Sequence, residues 1–273
     1  MKYSVLMSVY KNDDPAFLDV ALKSVFEDQT RKPDEILIVI DGPIPEELSS
    51  VLNAFAQSHE EVVRLLPRQE NKGLGEALRI GAEACTGDYI FRMDADDISD
   101  PLRFEKQIAY VEANPAIDVL GTDIAEFDQS PDEKNLRVRA CPADHDGIAQ
   151  MAKKRSPMNH VSVCIKKSAL ETAGGYMSLL LVEDYYLWLR MLAAGCRFAN
   201  LNESLVYVRV GNGFDAKRGS NIRVRGWKVL QNYMVEHGMI TRMRAFANML
   251  SIRVFIYMPA FMRRFIYKTL LRR

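Results

Sequence analysis

EILIVID (35–41) and DYIFRMD (88–94) are apolar runs that end in an acid, and YSVLMSVY (3–10) is a third run of the same kind. Such runs lack the polar alternation of a half-exposed strand. They are what parallel strands need when both faces of the sheet are covered. Helical patterns fill the gaps. Asp14-Pro15 has the N-cap and N1-proline signature of a helix start, and Phe17, Val20, Ala21, Ser24 and Val25 follow at helical spacing. A helix near 45–58, a short strand VVRLLP (62–67) and a helix GLGEALRIGAEAC (73–85) continue the alternation. This rhythm predicts a doubly wound α/β domain over about the first hundred residues.

Past residue 100 the rhythm changes. Asp100-Pro101 starts another helix, and IDVLGTDIAEFD (117–128) reads as a strand. A loop holding Pro131 and Pro142 follows, then HVSVCIKKS (160–168), which alternates like an edge strand. GGY (174–176) is a turn, EDYYLWLRMLAAG (183–195) a helix closed by glycine, and SLVYVRV (204–210) a last strand. Helices are expected over most of 214–272. The expected division is therefore 1–213 as one α/β body, with halves 1–100 and 101–213, and 214–273 as a helical extension.

Charge separates these parts. The totals of Lys+Arg and Asp+Glu are equal at 36, but residues 222–273 hold eleven Lys/Arg and one acid, Glu236. That leaves 25 basic and 35 acidic residues in 1–221, so a body near −10 carries a tail near +10. The four cysteines, Cys85, Cys141, Cys164 and Cys196, form no CxxC pair, which argues against a zinc site or a disulfide scaffold and fits a reducing compartment. The N-terminal apolar run is too short for a signal peptide. VFIYMPAFM, the longest uncharged apolar run of the tail, is far short of the ~20 residues of a membrane span. A cytoplasmic, non-transmembrane protein is expected.

The stretch YIFRMDADDISDP (89–101) runs a buried strand straight into Asp94, Asp96, Asp97 and Asp100. Ligands of open α/β sheets sit beyond the carboxyl ends of the strands, where both Asp41 and Asp94 fall. Like charges this close repel, so a cation is implied. Mg²⁺ or Mn²⁺ typically takes one or two carboxylates plus substrate phosphates. Asp94 and Asp96 are the candidate ligands. Asp100 reads as a helix cap, and Asp97 partly as a solvated loop acid.

VLMSVYKND, EILIVIDGP, NKGLGEALRIGAEACTGDYIFRMDADDISDPLRFEKQ and LLVEDYYLWLRM together resemble the family 2 glycosyltransferases, over residues 3 to about 210. The resemblance is closest to bacterial enzymes of O-antigen or exopolysaccharide assembly. It implies the GT-A fold: a Rossmann-like, mostly parallel mixed α/β sheet with helices on both faces. It also implies a nucleotide-sugar donor (UDP-sugar by family habit), a divalent metal and inversion at the anomeric carbon. By this resemblance Ser8, Val9 and Tyr10 contact the nucleobase, and Asp41 reads its edge. Asp94 serves ribose or metal and Asp96 the metal. Asp184 is the base and Glu183 orients it or binds acceptor. Lys72 and Arg79 face the donor cleft or are plain surface charges. His160 holds phosphate or acceptor, unless it is structural. Trp188 reads as core, with flooring the acceptor sugar as the alternative. Where many relatives have a histidine, this chain has Val210, which removes a third metal ligand; Arg209, Lys217 and Arg218 are candidate phosphate contacts in its place.

The tail IRVFIYMPAFMRRFIYKTLLRR (252–273) interleaves a stripe of Phe261, Met262, Phe265, Ile266 and Leu270 with Arg264, Lys268 and Arg272. This is the pattern of a helix in a membrane interface, or of one packed on protein. Peripheral attachment to the cytoplasmic face of the inner membrane implies a saccharide acceptor on polyprenyl diphosphate. Nucleic acid fits poorly with the acidic cleft. A second copy of the chain is a further candidate partner. Two rival functions stay open: a sugar-1-phosphate nucleotidyltransferase, disfavoured because SVYKNDDP lacks glycine, and a non-catalytic membrane-peripheral scaffold.

Overall fold

The structure, a computed structural model, describes residues 1–132, 136–179, 181–210 and 221–257. Strands β1 (Tyr3–Val9), β2 (Glu35–Ile40), β3 (Val63–Pro67) and β4 (Tyr89–Met93) pair in parallel in the order β3-β2-β1-β4. Helices α1 (Pro15–Val25), α2 (Glu46–Ser58) and α3 (Leu74–Ala84) connect them. Both faces of the sheet are covered. Val5, Met7 and Val9 of β1 join one core cluster with Leu18, Leu22, Leu48 and Leu52, while Leu6 joins the other with Ala77 and Leu78. This double burial is why these strands are apolar at most positions. The Asp14 carboxylate accepts from the amides of Ala16 (2.8 Å) and Phe17 (3.2 Å), so the N-cap read from the sequence is made.

Beyond β4 the sheet turns mixed. After β5 (Ile98–Ser99) and α4 (Arg103–Ala113) come β6 (Val119–Phe127), β7 (Arg137–Arg139), α5 (His145–Ala152) and β8 (Cys164–Lys166). Next are α6 (Lys167–Thr172), α7 (Glu183–Ala193) and β9 (Phe198–Arg209). β8 is antiparallel to β4, β6 is antiparallel to β8, β9 runs parallel to β6, and β5 closes the far edge. Asp100 does not cap α4 as expected: its carboxylate accepts from the amide of Leu102 at 3.0 Å, and Leu102, an apolar residue, holds the N-cap position.

Two further expectations need correction. Residues 160–168 are not an edge strand. They form a 3₁₀ turn (His160–Ser162), the short interior strand β8 between β4 and β6, and the start of α6. The alternation misled because Ser162 is polar yet buried, its hydroxyl donating to carbonyls of Thr122 and Asn159. The last strand starts at Phe198 rather than 204; buried Asn200 hides it, because its amide donates to the Asp123 carboxylate at 2.8 Å.

At the C-terminus, α8 (Asn221–Glu236) packs on α7. Leu230 and Met234 are buried with Val182, Tyr185 and Leu189. Trp227 and Tyr233 meet Tyr185 and Tyr186 edge-on, each at 5.4 Å. α9 (Arg242–Tyr257) follows. No helix among the described residues is long and apolar enough to cross a membrane.

α3 approaches the sheet closely at Gly81, where a β-carbon would stand 2.4 Å from Leu6 Cδ1 and 2.8 Å from Val39 Cγ2. Val39 sits on a rigid strand and cannot yield freely. Gly81→Val is expected to cost about 2–3 kcal/mol, read as a lower urea midpoint at unchanged m-value.

Candidate active site

The order β3-β2-β1-β4 means the chain leaves β1 for one side of the sheet and later returns on the other. A crevice opens at such a switch point, at the carboxyl ends of the strands. Val9 pairs with Ile40 and Met7 with Met93, so the turn at Tyr10, the Asp41 corner and the Asp94 turn stand side by side along one edge. Adjacent strands are about 4.8 Å apart.

Asp41 is buried and fully engaged. Its carboxylate accepts from the Arg68 guanidinium (2.7 Å) and from the amides of Lys72 (3.1 Å) and Gly73 (2.9 Å). Asp41 thus holds the loop before α3 against the end of β2. Ser8 and Tyr10 are half-buried and Val9 is core. The amide of Tyr10 donates to the Asp13 carboxylate at 2.9 Å, closing the turn after β1. Lys72 is exposed, near Glu70 at 4.0 Å. Arg79 is bound to Glu76 and Glu83 on its own helix, which fits the surface reading.

The acidic turn rests on a buried cation. Arg92 lies on β4 only two residues before Asp94, with a side chain 1% exposed. Its guanidinium donates to the Asp94 carboxylate and to the carbonyl of Met93. Arg103 of α4, also buried, donates to the carbonyl of Arg92 at 2.8 Å and braces the strand end. A second cation comes from β9. The Arg209 amide donates to the Asp97 carboxylate (2.9 Å) and its Nε to the Asp96 carbonyl (3.3 Å). Its guanidinium lies over Phe17 and Phe127, 3.7 and 4.7 Å from the ring centroids. Arg209 therefore secures the acidic turn, a part the sequence did not assign to it. Lys217 and Arg218 lie outside the described residues.

Two cations do not satisfy the turn. Burial, then the charges of Asp94 and Asp96, pushes the Asp97 carboxyl well above the usual range. Asp96 is solvent-exposed, yet surrounding protein and the Asp94 charge raise its carboxyl to about 6. In both groups burial is the larger cause and the neighbouring carboxylates add to it. Hard oxygen donors on Asp94, whose side chain is 41% exposed, and on exposed Asp96 suit a divalent ion. No group of three His, Cys, Asp or Glu side chains among the described residues could cage one. These residues therefore fit an ion that takes its remaining ligands from a phosphate.

α7 reaches the same recess. Asp184, in its first turn, accepts from the Ser156 hydroxyl at 3.3 Å. Glu183 beside it is raised by burial and by the Asp184 charge; its Oε2 is buried with no hydrogen-bond partner among the described residues. His160 lies in the recess. Burial, then the Arg92 charge, drives its imidazole down to about 4, against the opposing pull of Asp184 and Asp94. The same three charges act on Tyr176, whose hydroxyl meets His160 Nε2 at 3.1 Å. His160 is neutral at physiological pH. Trp188 needs correction. Its indole is fully buried, edge-on to His160 and Phe198, and cannot floor a sugar. Arg92 and Tyr176 are the participants the sequence reading missed. The only signal was an arginine inside an otherwise apolar strand. A shallow hollow of about 260 Å³ beside α6, lined by Asp118, Thr172 and Gly195 among others, holds none of these groups.

A mixed sheet of this order, with an acidic turn at the switch point, has the GT-A fold. The model of the family described as "Glycosyl transferase family 2" matches residues 4–171, and the chain belongs to that family. The amylovoran biosynthesis glycosyltransferase AmsE of Erwinia amylovora is 39% identical over 230 residues, covering 84% of this chain and 82% of that one. The UDP-Gal:alpha-D-GlcNAc-diphosphoundecaprenol beta-1,3-galactosyltransferase of Escherichia coli is 33% identical over 273 residues, covering 100% and 97%. Among solved structures, the mannosyltransferase PcManGT of Pyrobaculum calidifontis, in complex with GDP-Man and Mn²⁺, superposes with a TM-score of 0.64 at 15% identity, covering 95% and 70%. The family sets aside the nucleotidyltransferase and scaffold alternatives.

His160 generates a pH prediction. Its folded pKa lies below the unfolded value of 6.5, so its contribution is intact above pH 6.5 and is lost as pH falls toward 4. The loss should reach about 2–3 kcal/mol. His160→Gln, which keeps a partner for Tyr176, should flatten the slope of thermal stability against pH in that window.

Proposed function

We propose that the chain is an inverting, metal-dependent transferase of surface-polysaccharide assembly. It moves a hexose from a UDP-sugar to a saccharide carried on polyprenyl diphosphate. One observation carries this reading. Asp94 at the end of β4 and Asp184 at the start of α7 both bear electrostatically on His160, so two carboxylates from different elements lie near one buried imidazole. The names of the relatives supply the chemical setting: amylovoran biosynthesis in one, and UDP-Gal with a diphosphoundecaprenol-linked GlcNAc in the other.

Inverting transfer needs a base on one side of the anomeric carbon and charge stabilisation on the other. Asp184 takes the proton of the acceptor hydroxyl as the new glycosidic bond forms. The Ser156 hydroxyl bonded to Asp184 fixes that carboxylate's orientation. Glu183 binds acceptor or orients the base. Tyr10 offers a ring face to the nucleobase, and Asp41 holds the 72–73 amides along the donor's path. Asp94 and Asp96 would hold Mn²⁺ or Mg²⁺, which when bound neutralises charge on the departing diphosphate; Mn²⁺ accompanies the donor in the mannosyltransferase. Neutral His160 adds no positive charge beside Asp184. The membrane carries the acceptor, and the basic tail at 252–273 is the proposed point of attachment. The apolar stripe read there, from Phe261 to Leu270, lies outside the described residues.

Asp184→Asn should lower kcat for transfer from UDP-Gal to a GlcNAc-diphospho-lipid by about 10²–10⁴-fold while UDP binding by calorimetry is retained. Equal activity in the variant would remove Asp184 from the mechanism.

A further inference from the structure

α9 is apolar on two faces. Ala245, Met249 and Ile252 are half-buried on the side where the Asn248 amide donates to Gln231 of α8 (2.9 Å) and to the carbonyl of Lys153 (3.1 Å). The outer face carries Met243, Phe246, Leu250 and Val254, which are 81%, 73%, 55% and 54% exposed. Steps of three, four and four residues put these side chains in one stripe, about 80° wide at 3.6 residues per turn. A surface helix ordinarily presents a polar face to water. A continuous apolar stripe on the water side marks an interaction surface.

Charge selects the occupant. Arg242 and Arg253 border the stripe, and residues 237–273 contain eight Lys/Arg and no Asp or Glu. A second copy docked face to face would bring these cations together with no acid to offset them. An anionic bilayer supplies the opposite charge and an apolar layer for the stripe, and each basic residue near such a surface adds about 1 kcal/mol. We infer that the Met243–Phe246–Leu250–Val254 face of α9 is the surface by which this transferase docks on an anionic membrane. This rests on the reading that the acceptor is lipid-linked. It also moves the docking face ahead of the extreme C-terminal segment, onto a helix joined to the catalytic body. α9 is held to α8, and α8 is packed on α7, whose first turn carries Asp184. Docking therefore fixes the attitude of the base to the bilayer.

The test is flotation of the full chain with vesicles of equal parts phosphatidylglycerol and phosphatidylcholine, and with phosphatidylcholine alone. Wild type should float with the anionic vesicles and be released by 0.5 M salt. Phe246→Ser/Leu250→Ser leaves the charge unchanged and should bind at least tenfold more weakly, while the equally charge-neutral Ser251→Gln, off the stripe, should change binding less than threefold. Thermal unfolding of each variant shows that the fold is kept. Three results would overturn the inference: flotation of the double variant equal to wild type, no vesicle binding by wild type, or a wild-type dimer that the double variant converts to monomer. Transfer to a water-soluble short-chain acceptor is measured in parallel. Its absence with flotation intact would sink the proposed reaction and leave the docking face standing.

Discussion

A buried guanidinium underlies the site. Arg92 is taken out of water within the sheet, and the desolvation of such a charge costs several kcal/mol unless it is paired and hydrogen-bonded. Asp94 and the carbonyl of Met93 supply that pairing, so the strand cannot end in any other way without stranding the charge. The consequences run outward. Asp94 is held in place, His160 is kept neutral, and the acids that follow are turned toward the crevice. Arg209 secures the same turn from β9, which couples the nucleotide half of the sheet to the strand that closes it.

The cations fall short by design of placement rather than number. Arg92 sits beneath Asp94 and meets one carboxylate, while Arg209 lies flat between two rings and meets the turn through its amide and Nε. Neither stands in front of Asp96, whose carboxyl is raised toward neutrality. A turn braced by Arg92 and Arg209 keeps its geometry while Asp96 stays exposed, the arrangement that the proposed cation would use. Preorganisation of this sort leaves little to rearrange when charge develops on a leaving group.

The first half of the fold was legible because its strands are buried on both faces, so EILIVI and YSVLMSV read as uninterrupted apolar runs, and because Asp14-Pro15 marks a helix start in local chemistry alone. The second half was obscured where polar residues are satisfied internally. Ser162 and Asn200 look like solvent contacts and are buried partners of backbone and Asp123. The acidic turn and the Glu183-Asp184 pair were visible as local motifs. Arg92 was in plain view as a letter, but its burial depends on β8 and the 160–162 turn folding back antiparallel beside β4, a long-range fact. Tyr176 enters by the same route, and Trp188 leaves the site because the helix it rides turns that face inward.

The separation of charge along the chain then acquires a geometric meaning. Acids dominate residues 1–221 and basic residues the remainder, so the neutral sum hides a strong asymmetry of charge along the chain. An anionic surface attracts one end and repels the other, but at physiological salt such fields fade within about 8 Å. Orientation is therefore decided only near contact, where the basic border of α9 and its apolar stripe act over the same distance. The acidic crevice is held off the lipid by the same field. In the proposed reaction the nucleotide sugar would enter from the aqueous side and the lipid-linked acceptor from the membrane side. A uniformly basic protein would bind the bilayer more tightly but without preferred attitude, and its donor crevice would compete with lipid phosphates for the cation.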